Sequence, residues 1–184
     1  MSLAEPQNFI GTSEAYLRKT FSDWAPYRIH QVFNWVYHYR CRDFNAMTNI
    51  SKAMRAELAE RFYFSLPQVQ NKTHSQDGSI KYLLKMQDGA LVESVWMPSD
   101  SRKTLCISTQ VGCRLNCSFC LTASLGLKRN LTSGEIIGQV MAVNEDLGQV
   151  DQITNVVFMG MGEPLDNLQP VVEALRLMTA PEAM

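Results

Sequence analysis

Apolar positions fall into three textures along the chain. To about residue 65 the spacing is helical. After Pro26, residues Ile29, Val32, Phe33, Val36 and Tyr37 recur at intervals of three and four, which puts them on one face of a helix. Met54, Leu58 and Phe62 form a second stripe and predict a helix over 51–62. Trp24, Trp35, Tyr37 and Tyr39 add aromatic mass, as the core of a small helical domain requires. From 67 to 98 the texture changes. Asp77-Gly78 and Asp88-Gly89 are turn dipeptides, and the runs 79–86 and 90–97 predict two antiparallel strands joined at Asp88-Gly89.

The third part alternates strand and helix. Residues 103–109 predict a strand, followed by a cysteine-rich loop. Thr132 and Glu135 are spaced as a capping box, in which side chain and backbone satisfy each other's unpaired helix donors. The helix it opens carries Ile136, Val140, Val143, Asn144 and Leu147 on one face, with Ile137 and Met141 alongside. A buried strand is predicted over 153–159, a glycine-rich turn over 160–164, and a last helix through Val171, Val172, Leu175 and Met178. Residues 179–184 read as a helix end or a ragged terminus. Two β-loop-α units in succession predict an α/β fold with parallel strands and right-handed crossovers. The expected divisions are 1–66, helical; 67–100, a β-hairpin extension; and 101–184, the βα units.

Composition narrows the class. The chain has 184 residues, room for one ordinary domain or two small ones. It is 46% hydrophobic and 19% charged, which fits a folded protein and not a disordered one. The net charge of -1 gives no sign of a nucleic-acid partner. Between 101 and 130, however, Arg102, Lys103, Arg114, Lys128 and Arg129 stand without an acid. Such a run suits a phosphate-bearing ligand, but on charge alone a solvated basic face is the better reading. No run reaches the roughly 18 apolar residues of a membrane span, and the N-terminus lacks a secretory signal. A reducing cytoplasm is therefore expected, where five cysteines point to metal or catalytic work.

Cys113, Cys117 and Cys120 lie within eight residues at C-x3-C-x2-C spacing. A [4Fe–4S] cluster usually takes four cysteines, so three leave one iron open to a small chelating molecule. Structural zinc would need a fourth ligand from Cys41, Cys106, His30, His38 or His74, none close in sequence. Zinc ranks below the cluster, and three unliganded buried thiols rank below zinc. Phe119, before the last cysteine, could shield a cluster edge. Gly162 allows close backbone approach, and the Glu163 carboxylate can accept from the ammonium of an amino-acid ligand.

These features together resemble the radical S-adenosylmethionine (SAM) superfamily. More closely, Cys106-x-Ser-x-Gln-x-Gly-Cys113, Phe119-Cys-x-Thr-Ala-x-x-Gly126, Arg129-Asn-Leu131, Glu135-Ile-Ile-Gly-Gln-Val140 and Gly160-Met-Gly-Glu-Pro-Leu165 resemble the RlmN-type methyltransferases. The N-terminal stretch 31–51 adds to the likeness. The resemblance implies methylation of adenosine C2 in 23S rRNA and tRNA, in a cytoplasmic and monomeric enzyme. The cofactors it implies are a [4Fe–4S] cluster on Cys113, Cys117 and Cys120, and SAM held by Gly162 and Glu163. An electron donor such as flavodoxin or ferredoxin would serve it. Through a 5′-deoxyadenosyl radical, a methylcysteine passes its methyl group to the base. Cys106 aligns with the resolving cysteine and Glu93 with the proton acceptor, and a disulfide bond belongs to the same chemistry. The fold implied is an incomplete radical-SAM (β/α) barrel of two βα units, with 1–66 as an RNA-contacting accessory domain. Thr122-Ala123 and Pro164 favour the C2 enzymes over the relatives that methylate C8. The family runs to roughly twice this length, and no cysteine follows Cys120. The expectation is thus a truncated chain, inactive alone, with an RNA-binding remnant as the alternative.

Overall fold

The computed structural model describes residues 5–148 and 152–180. Strand β1 (Gln7–Asn8) is followed by helices α1 (Glu14–Thr20), α2 (Pro26–Tyr37) and α3 (Lys52–Arg61), then strand β2 (Phe62–Tyr63). Pro26 opens α2 at its first turn, where a missing N–H costs no hydrogen bond. Ile29, Val32, Phe33, Val36 and Tyr37 are buried, as their spacing predicts. Ser51 caps α3 by accepting from the Met54 N–H. That helix ends one residue before the expected Phe62, which turns extended (φ −135°, ψ 148°) so that β2 can pair parallel with β1. Phe62 keeps its place in the core, its ring 5.1 Å from that of Phe9. The Tyr37 hydroxyl accepts from the Gly11 N–H and donates to the Thr12 carbonyl, and burial raises its pKa.

Next come β3 (Gln68–His74), β4 (Ile80–Lys85), β5 (Leu91–Pro98), β6 (Lys103–Cys106), β7 (Gln110–Val111), β8 (Arg129–Asn130), α4 (Ser133–Leu147), β9 (Asn155–Val157) and α5 (Leu168–Met178). One sheet runs β3-β4-β5-β6-β9. Its first four strands are antiparallel neighbours, and β6 pairs parallel with β9. The expected hairpin is present, and it continues directly into the βα units as part of the same sheet. The architecture is α/β with mixed pairing. β3 carries no strand signal in the sequence, because Gln-Val-Gln-Asn-Lys-Thr-His has no apolar alternation; it is an edge strand with a bulge between Val69 and Asn71. The expected strand 103–109 breaks after Cys106, and 153–159 yields only three paired residues. Of the expected helix end 179–184, residues 181–184 lie outside the described residues.

Helix α4 organises the molecule. Ile137 and Met141 pack into the N-terminal aromatic cluster, while Ile136, Val140 and Val143 pack on the sheet with Leu105, Ile107 and Trp96. A helix apolar on both sides must be covered on both sides. Its start is held tightly: a Cβ on Gly134 would come within 2.1 Å of the Ile10 carbonyl oxygen. The capping box predicted from Thr132 and Glu135 is formed in both directions.

Candidate functional site

The site lies where β6 and β9 end. After Cys106 the backbone leaves the sheet and runs through Ile107, Ser108 and Thr109 into β7 and the cysteine loop. Ser108 is buried and shared: its hydroxyl donates to the Glu93 carbonyl (2.6 Å) and accepts from the Met161 N–H (2.8 Å). Gln139 of α4 is fully buried beneath it. Its carbonyl accepts from the Ser94 hydroxyl and the Ser108 N–H, both at 2.9 Å. Its amide donates to the Ser108 carbonyl. Buried amides demand such complete pairing, so Gln139 fixes β5 to the β6 exit, and Ser108 carries the tie on to the glycine-rich turn.

The cysteine loop is bound at its neck. β7 pairs antiparallel with β8, Cys113 N–H donates to the Gly126 carbonyl (3.2 Å), and Lys128 N–H to the Val111 carbonyl (2.9 Å). Gly112 has φ +79°, and a Cβ there would fall 1.8 Å from the Gly126 carbonyl oxygen, so only glycine fits. Beyond the neck the loop faces solvent. Cys113 and Cys120 are half-buried, Cys117 is exposed, and all three are free thiols, as are Cys41 and Cys106. The expected disulfide therefore has no counterpart here. Backbone N–H groups of Thr122 and Ala123 at the Cys120 sulfur lower its pKa. Phe119 is 90% exposed, and Leu115, Leu121, Leu125, Met159 and Leu165 are exposed too. Every one of these apolar side chains lies on the cysteine loop or the facing turn, a rim of the kind that meets a ligand or further protein.

The facing turn carries Gly162 and Glu163. Gly162 has φ +95°, and a Cβ there would meet the Gln110 side chain at 2.5 Å. Glu163 donates its N–H to Gln110 Oε1 (2.9 Å), and its carboxylate accepts from the Leu165 N–H, capping the short turn Pro164–Asn167.

Glu93 and Cys106 lie on adjacent strands. Cys106 pairs with Val95, two residues beyond Glu93, so by the strand period both side chains point to the sheet face away from α4. Burial raises the Cys106 pKa, against the Met159 backbone N–H at its sulfur. Glu93 pairs with Lys81 at 3.0 Å. Of the basic run, Arg129 is clamped by Asp88 and Glu135, and Arg114 by Asp166, so much of the local positive charge is already neutralised.

A cavity of about 910 Å³ lies elsewhere, between the N-terminal segment and the start of α4, with Ile10, Tyr16, Gly134 and Arg176 in its wall and no cysteine. It offers no thiol chemistry. Among the described residues, no three His, Cys, Asp or Glu side chains stand close enough together to hold a metal ion. What fits an iron–sulfur group is the donor set itself: three free thiols on one open loop. Ser108, Gln110, Gln139 and Asp166 carry no chemical signal of their own in the sequence, nor does Asn167, whose buried amide donates to the Thr109 and Leu131 carbonyls. The first three do sit inside the quoted motifs.

A model of the "Ribosomal RNA large subunit methyltransferase N-terminal domain" matches residues 7–64. The "Dual-specificity RNA methyltransferase RlmN" of Alkalilimnicola ehrlichii is 49% identical over 96% of this chain and 50% of its own length. Its namesake in Roseobacter denitrificans is 43% identical over 97% and 50%. The chain belongs to the RlmN family of RNA methyltransferases. It spans about half the length of the RlmN relatives it matches. The fold agrees: a crystal structure of a radical SAM methyltransferase from Sphaerobacter thermophilus superposes with a TM-score of 0.82 at 36% identity, over 97% of this chain and 54% of that one. Among the described residues no helix is long and apolar enough to cross a membrane.

Proposed function

We propose that this chain forms the cofactor-bearing part of a radical SAM enzyme that methylates C2 of adenosine in 23S rRNA and tRNA. The observation that carries the reading is the C-x3-C-x2-C loop of free thiols, anchored at the strand ends that also hold Gly162 and Glu163. Cys113, Cys117 and Cys120 would hold a [4Fe–4S] cluster, the lowered Cys120 pKa favouring its ligating thiolate. When bound, the cluster and SAM supply reductive cleavage to a 5′-deoxyadenosyl radical, with the electron drawn from a donor such as flavodoxin or ferredoxin. Gly162 admits the amino-acid end of SAM, and Glu163 accepts from its ammonium. The apolar rim around Phe119 would shield that ligand from water once it is bound.

Cys106 and Glu93 face the side of the sheet that α4 leaves open. Cys106, its thiol pKa raised by burial, would be the resolving cysteine there, and Glu93, paired with Lys81, the proton acceptor. The two βα units are read as the start of a (β/α) barrel, and residues 1–66 as the RNA-contacting part of a monomer. Thr122-Ala123 and Pro164 favour C2 over C8. In the resembled family the methyl-carrying cysteine lies near the C-terminus, outside the half that this chain matches. Methyl transfer by this chain alone is therefore expected to be absent. Anaerobic incubation with labelled SAM and 23S fragments tests this: iron uptake and SAM binding without 2-methyladenosine is expected, and 2-methyladenosine contradicts it.

A second reading, a catalytically silent RNA-binding protein, draws on exposed Tyr27 and Tyr39 beside Arg28 and Arg40. RNA retention on filters by a chain that takes up no iron would favour it.

A further inference from the structure

A chain of polar contacts joins the loop that carries the thiols to the turn that carries Gly162 and Glu163. Gln110 sits at its centre, fully buried. Its carbonyl oxygen accepts from the Glu163 N–H at 2.9 Å. Its amide nitrogen donates to Asn130 Oδ1 and to Asp166 Oδ2, each at 2.8 Å. The same Asp166 oxygen accepts from Arg114 Nε at 2.7 Å. Arg114 is the residue next to Cys113, on the open side of the loop's neck. Asp166 is fixed from its own side as well, its N–H donating to the Glu163 carbonyl at 3.1 Å.

An exposed ion pair contributes little to stability, about 0–1 kcal/mol, and Arg114 is 59% exposed. Stability is therefore a poor reason for this arrangement. Its geometry differs from that of a free surface pair. One carboxylate oxygen takes donors from two segments, and one of those donors is a buried amide that has no water to turn to. Moving Asp166 away from Arg114 would strip Gln110 of an acceptor, and moving Gln110 would release the Glu163 N–H. The neck of the loop is already closed by Gly126 and Val111, which leaves the tip's placement to contacts such as this one.

We propose that Gln110, Asp166 and Arg114 are positioning residues that set the cysteine loop in register with the Gly162–Glu163 turn. This rests on the function proposed above. An iron site on the loop and the amino-acid end of SAM on the turn must meet to within a fraction of an ångström, and a tie between the two segments supplies that constraint.

The test uses the full chain, reconstituted anaerobically with iron and sulfide, as parent, Arg114→Ala, Arg114→Lys, Asp166→Asn, and the double variant Arg114→Ala/Asp166→Asn. Four quantities are read: iron per chain, the electron paramagnetic resonance (EPR) spectrum of the reduced cluster with and without SAM, SAM affinity by equilibrium dialysis, and the unfolding midpoint. The expected result is parental iron content and unfolding midpoint in every variant. SAM affinity falls about tenfold in Arg114→Ala and Asp166→Asn, and the SAM-dependent spectral change diminishes. The double variant is no weaker than either single, and Arg114→Lys recovers part of the loss. Variants that bind SAM as the parent does, with the same spectral change, overturn this inference and leave the proposed function standing. Loss of iron in Arg114→Ala also overturns it, because the effect then lies in cluster assembly. A parent that takes up no iron overturns the proposed function and this inference with it.

Discussion

Gln139 ties β5 to the β6 exit beneath the site, and its hydrogen bonds state what its loss would do. Replacing it with leucine keeps the volume roughly constant but strands the Ser108 N–H and the Ser94 hydroxyl in a dry interior. Each stranded group costs about 1–3 kcal/mol, so Gln139→Leu is expected to lower the urea unfolding free energy by about 2–6 kcal/mol. Cys106 provides a second check at this scale. Its raised pKa means less thiolate at a given pH. In the metal-free chain, iodoacetamide should therefore modify Cys106 more slowly than exposed Cys117, and the Cys106 rate should keep climbing above the ordinary thiol range near pH 9. Mass spectrometry of quenched samples reads both rates. The cysteines were legible in the sequence because their spacing is itself the signal. Gln110, Gln139 and Asp166 were not, because an amide or carboxylate earns its role from partners 20 to 56 residues away.

At the scale of elements, the period of apolar residues located α2, α3, the β4–β5 hairpin, α4 and α5. It missed β3, whose residues are polar on an edge, and it overran the strands 103–109 and 153–159, whose apolar ends leave the sheet to build the site. The start of α4 carries two predictions. Gly134→Ala substitutes a better helix former, yet a Cβ there meets the Ile10 carbonyl at 2.1 Å. The variant is expected to be destabilised, by about 1–3 kcal/mol as overpacking costs, and a raised thermal midpoint would contradict the packing described. Arg129 binds the Asp88 turn and the Glu135 capping carboxylate at once. Arg129→Ala should cost about 1–3 kcal/mol, with Arg129→Lys recovering only part, since an ammonium cannot reproduce the two-pronged contact. Arg129 holds the Asp88 carboxyl below its ordinary range. The Asp88 share of the clamp should therefore be present above the ordinary carboxylate pKa and be lost as pH falls through the depressed value. The difference in unfolding midpoint between the parent and Asp88→Asn, read over a pH series, follows that sign.

For the whole molecule, three observations belong together. The sheet is covered by α4 on one face, while the face bearing Glu93 and Cys106 is left half-exposed. The apolar side chains that stand furthest into solvent, Phe119, Leu121 and Met159, gather at the strand ends around the thiols. The chain spans about half the length of its RlmN relatives. The sequence alone conveyed the family and the thiol loop, since both are written in local motifs. It could not convey that the hairpin and the βα units share one sheet, because strand order is a tertiary fact. The claim on which the account turns is that Cys113, Cys117 and Cys120 bind an iron–sulfur cluster with an open iron. Anaerobic reconstitution followed by metal analysis and EPR spectroscopy with and without SAM tests it most directly. The account predicts about four irons per chain, a spectrum that changes when SAM is added, and loss of both on changing any one of the three cysteines to alanine. Zinc in place of iron, or iron retained after those substitutions, would contradict it.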